Sequence, residues 1–395
     1  MIFLYLLLAF STSVFANPVL VTRSPITLPL SRIVNFTSAH NLVQHDRARA
    51  RMLKAKGESQ GTARRAIFNT HEPITNQAVA YVASVGVGSP ATTCWLKFRL
   101  TPVFLIYIIV CSSNTWVGAG SMGYKQTSTS HNTGDSVSVS YGSGSFSGEE
   151  YTDQVSVGRG LEITNQSIGG FDGILGLGPT DLTQGTLSSG SIIPPLIFAH
   201  EIGVSFEPTA TSPNENGEIT WGGTNLLKYF LPITYIPITN TAPAKYYWGI
   251  DQSIRYGPST TFYPRQLGLY YAYWTSTDAY NKYQNATGST VDPNVGLLAL
   301  PSSKYSSLKS LYFTTGGKTF ELIPNAQIWP RSLNSEIGGA SGMIYLVIHD
   351  LESPSGQGLD FINGLTFLER FYSVYDSENG RVGLANTLWT MEEVN

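Results

Sequence analysis

Beyond its N-terminal segment, the chain consists of short runs of β-branched and aromatic residues separated by glycine-rich turns, and this pattern restricts it to a strand-rich fold. Val137, Val139 and Tyr141 alternate with serines, as in a strand with one buried face. Helical patterns are few, and the best are the short stretches 278–283 and 302–311. Only 13% of the residues are charged, while glycine reaches 39 and tyrosine 22. We therefore predict an all-β fold, in a chain of 395 residues that is long enough for two domains.

Two long hairpins are predicted, one in each half of the chain. The stretch 137–157 turns back through a Gly-Ser-Gly-Ser sequence, and the stretch 373–384 turns through an Asn-Gly pair. Two apolar-apolar-glycine elements, at 174–176 and, more loosely, at 361–364, are separated by nearly half the chain. Their spacing indicates a duplicated, two-lobed design.

The first sixteen residues are apolar and end in the sequence Val14-Phe15-Ala16. They predict a signal peptide over residues 1–16, because the run is short for a bilayer and ends in a cleavage site. We therefore expect a secreted, extracellular protein with no membrane partner. Three Asn-X-Ser/Thr sequons fit this route and are candidate glycosylation sites. They are Asn35, Asn165 and Asn285.

Charge is distributed unevenly along the chain. Residues 17–65 hold nine Lys or Arg against two acidic residues, a net charge of +7, whereas residues 66–395 hold 15 basic and 25 acidic residues, a net charge of −10. A basic arm that binds nucleic acid is one interpretation. A signal peptide in front favours the other, a basic pro-segment over residues 17–66 that covers an acidic body, and no nucleic-acid partner. Arg64-Arg65 is a candidate processing point.

Several classes of chemistry find no support in the residue pattern. Cys94 and Cys111 are the only cysteines, and whether they form a disulfide stays open. No His/Cys cluster has metal-ligand spacing, and no Ser-His-Asp or Cys-His grouping offers a nucleophile. The glycine-rich sequences lack the following helix that phosphate binding requires.

Five runs, in a fixed order, are together typical of one known family. They are 112–118, 141–148, 171–178, 217–224 and 359–376. On these runs the chain resembles the pepsin-like (A1-type) aspartic proteases, and is most similar to their fungal polyporopepsin-type branch. The resemblance covers roughly residues 78–390.

The resemblance implies a bilobal β-rich fold with a central cleft, an N-terminal lobe over residues 67–224 and a C-terminal lobe over 225–395. In this family each lobe supplies an Asp-Thr-Gly loop, and the two carboxylates share a proton to activate a water molecule against a peptide bond; this dyad is a standard case of paired carboxylates. The expected partner is an extended peptide or protein substrate, bound by a monomer with no metal and no cofactor. The activity implied is that of an acid endopeptidase.

The hairpin predicted at 137–157 corresponds to the family's flap, which closes over bound peptide. Tyr141 corresponds to the flap tyrosine and Trp116 to its usual hydrogen-bonding neighbour. The backbone at Gly142, Ser143 and Gly144 is expected to bond the substrate main chain. A strand-end tyrosine that only caps the core is the alternative for Tyr141.

Both Asp-Thr-Gly motifs are absent from the chain. The first should occupy positions 109–111, which read Ile-Val-Cys, and no Asp or Glu occurs between residues 81 and 134. Counting back from Asp278 places the second at Leu267, and no carboxylate lies between Asp251 and Asp278. We therefore assign no catalytic residue and predict no appreciable peptidase activity for this chain.

Three other aspartates belong to different family motifs and are predicted to have solvated structural roles. They are Asp172, Asp360 and Asp376.

Three interpretations of the missing motifs stay open. In the first, the true product is an aspartic endopeptidase and this translation is faulty; shifting the frame by one base across the codons of 261–270 permits a sequence similar to the family's approach to its second motif. In the second, the gene is a decayed paralogue, for which the apolar run 100–111 is a misfolding liability. In the third, a folded pseudoprotease still binds peptides without cleaving them.

Overall fold

The computed structural model describes most of the chain between Pro25 and Asn395. The described residues are 25–34, 43, 47, 50, 51, 54, 55, 58, 79–83, 85–90, 92–94, 106–109, 124–141, 144–157, 161–169, 173–178, 201–210, 214–258, 260–263 and 273–395.

Strands dominate these residues, because alternating apolar and polar side chains suit half-buried sheets. The strands are β1 (Ile26–Val34), β2 (Val79–Ala83), β3 (Val85–Val87), β4 (Thr92–Cys94), β5 (Ile106–Ile109), β6 (His131–Tyr141), β7 (Gly144–Val157), β8 (Leu161–Gly169), β9 (Gly173–Gly176), β10 (Glu201–Phe206), β11 (Asn214–Trp221), β12 (Thr234–Pro237), β13 (Ser253–Tyr256), β14 (Thr260–Tyr263), β15 (Tyr273–Thr275), β16 (Thr290–Val291), β17 (Leu298–Pro301), β18 (Leu311–Thr315), β19 (Lys318–Leu322), β20 (Met343–Leu346), β21 (Ile348–Asp350), β22 (Phe361–Ile362), β23 (Phe371–Asp376) and β24 (Arg381–Asn386). Apart from helical positions near the N-terminus, which are described below, the helices are α1 (Thr277–Thr287), α2 (Leu365–Leu368) and the 3-10 helices Ala244–Tyr246, Ser302–Ser307, Pro324–Gln327 and Arg331–Ile337.

The largest sheet has nine strands in the order β12-β24-β23-β10-β11-β1-β2-β5-β9. It joins strands from both halves of the sequence, since β10 pairs with β23. A second sheet is built on the β6–β7 hairpin with β3, β4 and β8. Three smaller sheets, β14-β13-β18-β19, β21-β15-β22 and β16-β17-β20, form the rest of the C-terminal half. The all-β prediction is confirmed.

Strand β1, from the predicted pro-segment, lies inside the nine-stranded sheet rather than on top of it. It pairs antiparallel with β11 on one side and β2 on the other. Leu28 and Leu30 are buried, while Thr27 and Pro29 are exposed. This period of two places one face of β1 in the main core.

The described positions between 43 and 58 are all helical. Val43 and Ala50, seven residues apart and therefore on one helix face, are buried against the core. The basic side chains Arg47, Arg51 and Lys54 lie along the same segment. We call the described helical positions, 43, 47, 50, 51, 54, 55 and 58, the basic helix.

The C-terminal core is rich in aromatic rings. Phe367 packs edge-on against Phe313 at 5.0 Å between ring centroids and contacts Phe371 at 4.6 Å. Phe320 meets Phe371 at 5.4 Å. Such pairs add about 0.5–1.5 kcal/mol each beyond burial, and they fix the strands around the site described next.

Both hairpins and one of the two helices agree with the sequence predictions. The stretch 278–283 lies within α1, and β23 and β24 form the hairpin predicted at 373–384. The helix predicted at 302–311 is wrong in part, because only 302–307 is helical, as a 3-10 turn, and β18 begins at Leu311. The buried Leu308 and Leu311 reach the core from extended backbone, which a helix through them would not allow.

Candidate active site

The first candidate position, residue 109, is where the resemblance expects the first catalytic aspartate. The strand that leads into it is β5. It pairs antiparallel with β2 on one side and parallel with β9 on the other, where Ile109 lies opposite Gly176. Ile109 stands at the position where the resemblance expects the first aspartate, and an isoleucine side chain has no ionisable group. Residues 110 and 111 lie outside the described residues.

The second candidate position, Leu267, lies outside the described residues together with the rest of 264–272. The strand that follows is β15, which pairs parallel with β21 and antiparallel with β22. Directly after β15, the buried Ser276 donates its amide to the Asp360 carbonyl oxygen at 2.7 Å. This bond holds the backbone directly after β15.

One buried hydrogen bond connects the two halves beside the first position. The indole Nε1 of Trp248 donates to the carbonyl oxygen of Leu177, directly after β9, at 3.0 Å. Both side chains are buried. Because β9 borders β5, this bond couples the first candidate position to the C-terminal half.

A buried amide pair lies at the end of β22. Gln252 Nε2 donates to Asn363 Oδ1 at 3.1 Å, and Asn363 Nδ2 donates to Gln252 Oε1 at 3.4 Å. Each amide thereby satisfies the other away from water. Amides do not ionise, so the pair positions backbone but cannot replace a carboxylate dyad.

The hairpin predicted at 137–157 is present and extends further back than expected. Its strands pair from His131 opposite Thr152 to Tyr141 opposite Gly144. The register leaves a two-residue connection at the tip, the tightest that joins antiparallel strands.

The described residues place the flap candidates only in part. Tyr141 ends β6 and Gly144 begins β7. Gly142, Ser143 and Trp116 lie outside the described residues, as does the Tyr141 side chain. A contact between Tyr141 and Trp116 therefore stays a prediction.

The base of the hairpin is held by a fully buried carboxylate on β7. Asp153 accepts hydrogen bonds from the Tyr124 hydroxyl at 2.6 Å, the Thr129 hydroxyl at 2.6 Å and the Gln154 amide at 2.8 Å. Thr127 adds a further hydroxyl at 3.1 Å. Burial, and then the bond to Asp153, raise the pKa of Tyr124, so this donor stays protonated.

Two aspartates near β15 bind the loop that follows β21. Asp278 accepts the amide of Ser355 at 3.1 Å and its hydroxyl at 3.0 Å. Asp360 accepts the amides of Gly356 at 2.8 Å and Gln357 at 3.2 Å. Burial raises the pKa of Asp360, and the two amide bonds oppose that rise. Both carboxylates accept bonds from this loop, Asp360 from backbone amides and Asp278 from an amide and a hydroxyl, as expected for structural groups.

Asp376 holds the turn between β23 and β24. It accepts the Asn379 amide at 3.0 Å and Arg381 Nε at 2.6 Å. Burial alone would raise the pKa of Asp376, but the bonds from Asn379 and Arg381 lower it overall. Asp360 and Asp376 are buried, so the prediction that their side chains are exposed to solvent is wrong for both. Their hydrogen bonds to neighbouring groups replace those that burial takes from water. Asp172 lies outside the described residues.

The basic helix docks on the loop after β21. Arg47 Nε lies 3.0 Å from Glu352 Oε1, and Arg51 forms a second ion pair with the same carboxylate. Lys54 donates to the Gln357 side-chain oxygen. This loop also carries the backbone that Asp278 and Asp360 hold, so the helix contacts the loop that these two aspartates position.

His349 lies on β21 next to this docking site. Its backbone is paired with Trp274 of β15, and its side chain is buried. Burial, and secondarily the charge of Arg47, lower the pKa of His349 to about 3. The imidazole is therefore neutral at ordinary pH.

Two of the three sequon asparagines are accessible. Asn165 is exposed in β8 at a positive φ of 56°, and Asn285 is exposed on α1. Asn35 lies outside the described residues. Cys94 ends β4, whereas Cys111 lies outside the described residues, so their pairing stays a prediction.

Among the described residues, no group of three or more His, Cys, Asp or Glu side chains is arranged to hold a metal ion. Within the same part of the chain, no helix has the length and apolarity needed to cross a membrane.

The sheet arrangement around β5 and β9, the long β6–β7 hairpin and the strand-rich C-terminal half together define a pepsin-like aspartic proteinase fold. The model of the eukaryotic aspartyl protease family matches residues 80–387, so the chain belongs to that family.

Individual relatives agree with this assignment. The chain is 52% identical to polyporopepsin of Irpex lacteus over 342 residues, which is 80% of this chain and 97% of the relative. It is 28% identical to gastricsin of Suncus murinus over 80% of this chain and 83% of the relative. The crystal structure of aspartic proteinase from Irpex lacteus matches with a TM-score of 0.74 at 50% identity, covering 80% of this chain and 96% of that one.

Sequence reasoning missed two parts of this site. The carboxylate of Asp153 gathers donors from 24 to 29 residues away along the chain, a tertiary arrangement without a local signal. The docking of the basic helix on Glu352 also has no local signal. The helix itself does have one, because Val43 and Ala50 are seven residues apart and therefore lie on one helix face.

Proposed function

We propose that this member of the aspartic endopeptidase family does not hydrolyse peptide bonds with the sequence it has here. The observation that carries the proposal is the absence of any Asp or Glu between residues 81 and 134 and between Asp251 and Asp278. Losing both members of an acid–base pair costs at least about 10⁴-fold in rate, at roughly 10²–10⁴ for each role.

The four aspartates Asp153, Asp278, Asp360 and Asp376 do not offer a replacement dyad. Asp278, Asp360 and Asp376 each accept bonds from neighbouring backbone or arginine, which commits their oxygens to structure. Asp153 is enclosed by hydroxyl donors at the base of the hairpin.

We further propose that the chain is made as a secreted zymogen-type precursor, with a signal peptide at 1–16, a pro-segment at 17–66 and lobes divided near residue 224. Support comes from the contacts of the pro-segment: β1 completes the main sheet, and the basic helix pairs with Glu352. Opposite net charges on the two parts of the sequence agree with this arrangement.

The test is an acid protease assay on the secreted protein at pH 3–5, beside the Irpex lacteus polyporopepsin as active control. We expect turnover at least about 10⁴-fold below the control. Hydrolysis that a statine-type inhibitor abolishes would refute the proposal, because such inhibitors bind the carboxylate pair.

Sequencing the transcript across codons 90–115 and 255–280 separates the origins of the loss. Asp-Thr-Gly at both places would mean that the natural product is an ordinary acid endopeptidase. The present residues in frame would mean a true loss, either a decayed paralogue or a retained binding protein.

Peptide binding without cleavage is a second candidate function, favoured by the intact hairpin register down to Tyr141 opposite Gly144. A flap of this kind bonds peptide backbone, which does not require the dyad. A calorimetric titration with an extended apolar peptide should then show saturable binding, and a Tyr141→Ala variant should bind the peptide more weakly. A flat titration removes this function.

A further inference from the structure

The described surface has one concentrated apolar patch. Seven large apolar side chains are exposed among the described residues, and six of them lie in two short segments, 226–231 and 388–391. Leu227 is 87% exposed and Leu231 73% exposed. Single exposed apolar residues are ordinary, but a cluster of this kind marks a surface that something covers.

The two segments are neighbours at the edge of the nine-stranded sheet. The antiparallel register that pairs Thr234 with Leu384 extrapolates to Phe230 opposite Leu388, and the Phe230 amide donates to the Asn386 carbonyl oxygen at 2.8 Å. We call Leu226, Leu227, Phe230, Leu231 and Leu388 the edge patch.

The charge within the patch is already neutralised. Lys228 is the only charged residue of 226–231, and its amine lies 3.1 Å from Glu207 Oε1. What remains for a partner is apolar surface, so the occupant should be an apolar segment and not an acidic one.

The chain preceding β1 leaves the sheet beside this patch. Ile26 pairs with Trp221, and the Pro25 ring lies over Gly223, within 3.2 Å of the point where a Cβ would stand. Gly223 is three residues from Leu226, and consecutive Cα atoms are about 3.8 Å apart, so Pro25 and the start of the patch are separated by no more than about 11 Å plus that contact.

The segment that ends at Pro25 has the matching chemistry. Residues 17–24, Asn-Pro-Val-Leu-Val-Thr-Arg-Ser, contain one apolar run, Val19-Leu20-Val21. An extended chain covers about 3.3 Å per residue. The three residues between Val21 and Pro25 are therefore long enough to bring this run to Leu226 and Leu227.

We propose that Val19-Leu20-Val21 covers Leu226 and Leu227 of the edge patch and clasps the N-terminal end of β1 to the loop between β11 and β12. The proposal rests on the proposed removal of residues 1–16, which would free this end of the chain. A tethered segment is present at millimolar effective concentration, which favours it over a separate partner. A second copy pairing along β12 is disfavoured by Pro232 and Pro237, because proline at a sheet edge blocks strand addition.

Carbene footprinting of the unaltered secreted protein is the first test, because carbenes label exposed apolar side chains. We expect Leu226 and Leu227 to be labelled at least threefold less than Val291, an exposed apolar residue outside the patch. Labelling equal to that of Val291 would overturn the proposal.

Variants then identify the occupant. Val19→Ser with Leu20→Ser and Val21→Ser should raise the labelling of the patch at least threefold, whereas three isoleucines at the same positions should keep it protected. Patch protection that survives the serine variant would overturn the clasp. A dimer in sedimentation velocity that Leu227→Ser dissolves, or flotation with phosphatidylcholine vesicles, would assign the patch to a second copy or to a lipid surface instead.

N-terminal sequencing of the secreted protein keeps the two proposals apart. A start at Asn17 supports the proposed signal-peptide removal with the pro-segment retained, and the footprint then reports the clasp. A start at Ala66 would mean that the pro-segment has been removed together with Val19-Leu20-Val21, and the footprint is then measured on a precursor in which Arg64→Ala and Arg65→Ala block that cleavage.

Discussion

Two regions of the same N-terminal segment are attached to the rest of the molecule by different forces. β1 is held by ladder hydrogen bonds on both sides and by the burial of Leu28 and Leu30. The basic helix is held by two arginines on Glu352, together with the smaller buried residues Val43 and Ala50. Burial in a sheet is insensitive to pH and salt, whereas exposed ion pairs are weakened by both. The strand should therefore be the permanent attachment and the helix the conditional one.

The largest effect is expected in the strand. Leu30→Ala leaves a cavity in the core of the nine-stranded sheet and should lower the free energy of unfolding by about 2–5 kcal/mol. Urea unfolding followed by tryptophan fluorescence measures this loss. Thr27→Ala, an exposed position on the same strand, is the matched control and should change little. Equal costs for both variants would mean that β1 is not part of the core.

The next largest effect is expected when the pH is lowered, because His349 is buried beside the site where the basic helix docks. His349 has a pKa of about 3 in the folded protein against an ordinary value of 6.5. Between these values the unfolded chain binds a proton that the folded chain does not, so the unfolding free energy should fall as pH falls from 6.5 towards 3, by at most about 1.4 kcal/mol per pH unit. Because the basic helix docks beside His349, we expect it to open before β1 as the pH falls. Hydrogen exchange at pH 7, 5 and 4 should show this order.

His349→Asn should flatten this pH dependence, while His131→Asn, at an exposed position in β6, should leave it unchanged. A slope that persists in His349→Asn would assign the acid sensitivity to other groups. Opening of β1 together with the helix would erase the distinction between the two attachments.

A smaller effect is expected from the ion pairs themselves. Glu352→Gln removes the partner of Arg47 and Arg51 at a partly exposed site, for which pairs contribute about 0.2–1 kcal/mol. Faster exchange over residues 43–58, and loss of its dependence on salt, should follow. Glu336→Gln, at an exposed position in a 3-10 helix, serves as the control. If salt still accelerates exchange in Glu352→Gln, these pairs do not hold the helix.

The smallest effect is expected at Lys54. Its bond to the Gln357 side chain is a single contact at the surface. Lys54→Met should change the unfolding free energy by less than about 0.5 kcal/mol. A larger loss, measured in the same urea titration, would show that the helix depends on this end more than on Glu352.

The sequence predicted well those elements whose signal is local. The flap hairpin followed from Val137, Val139 and Tyr141 alternating beside a glycine turn, and the hairpin at 373–384 from its Asn-Gly turn. The signal for β1 was also local, since buried Leu28 and Leu30 alternate with Thr27 and Pro29, but the basic composition of the segment concealed it.

The contacts that organise the site could not be predicted in the same way. The bond from Trp248 to Leu177 spans 71 residues, and the Gln252–Asn363 amide pair spans 111. Pairings of this kind depend on the final positions of sheets that no periodicity specifies. The absence of Asp-Thr-Gly, in contrast, was visible directly, because a missing residue type needs no structure to be recognised.

The central position of β1 also determines when the protein can fold. Ile26 must pair with Trp221, which leaves the ribosome 195 residues later, and synthesis at about 5–20 residues per second makes that interval about 10–40 s. During this time the first strand to be made has only β2 as a partner, and its leucines stay available to chaperones or to the wrong neighbour. Assembly of the main sheet is therefore a late event governed by translation. Synonymous codon changes that alter the speed of synthesis between these two strands should alter the yield of folded protein without changing its final stability.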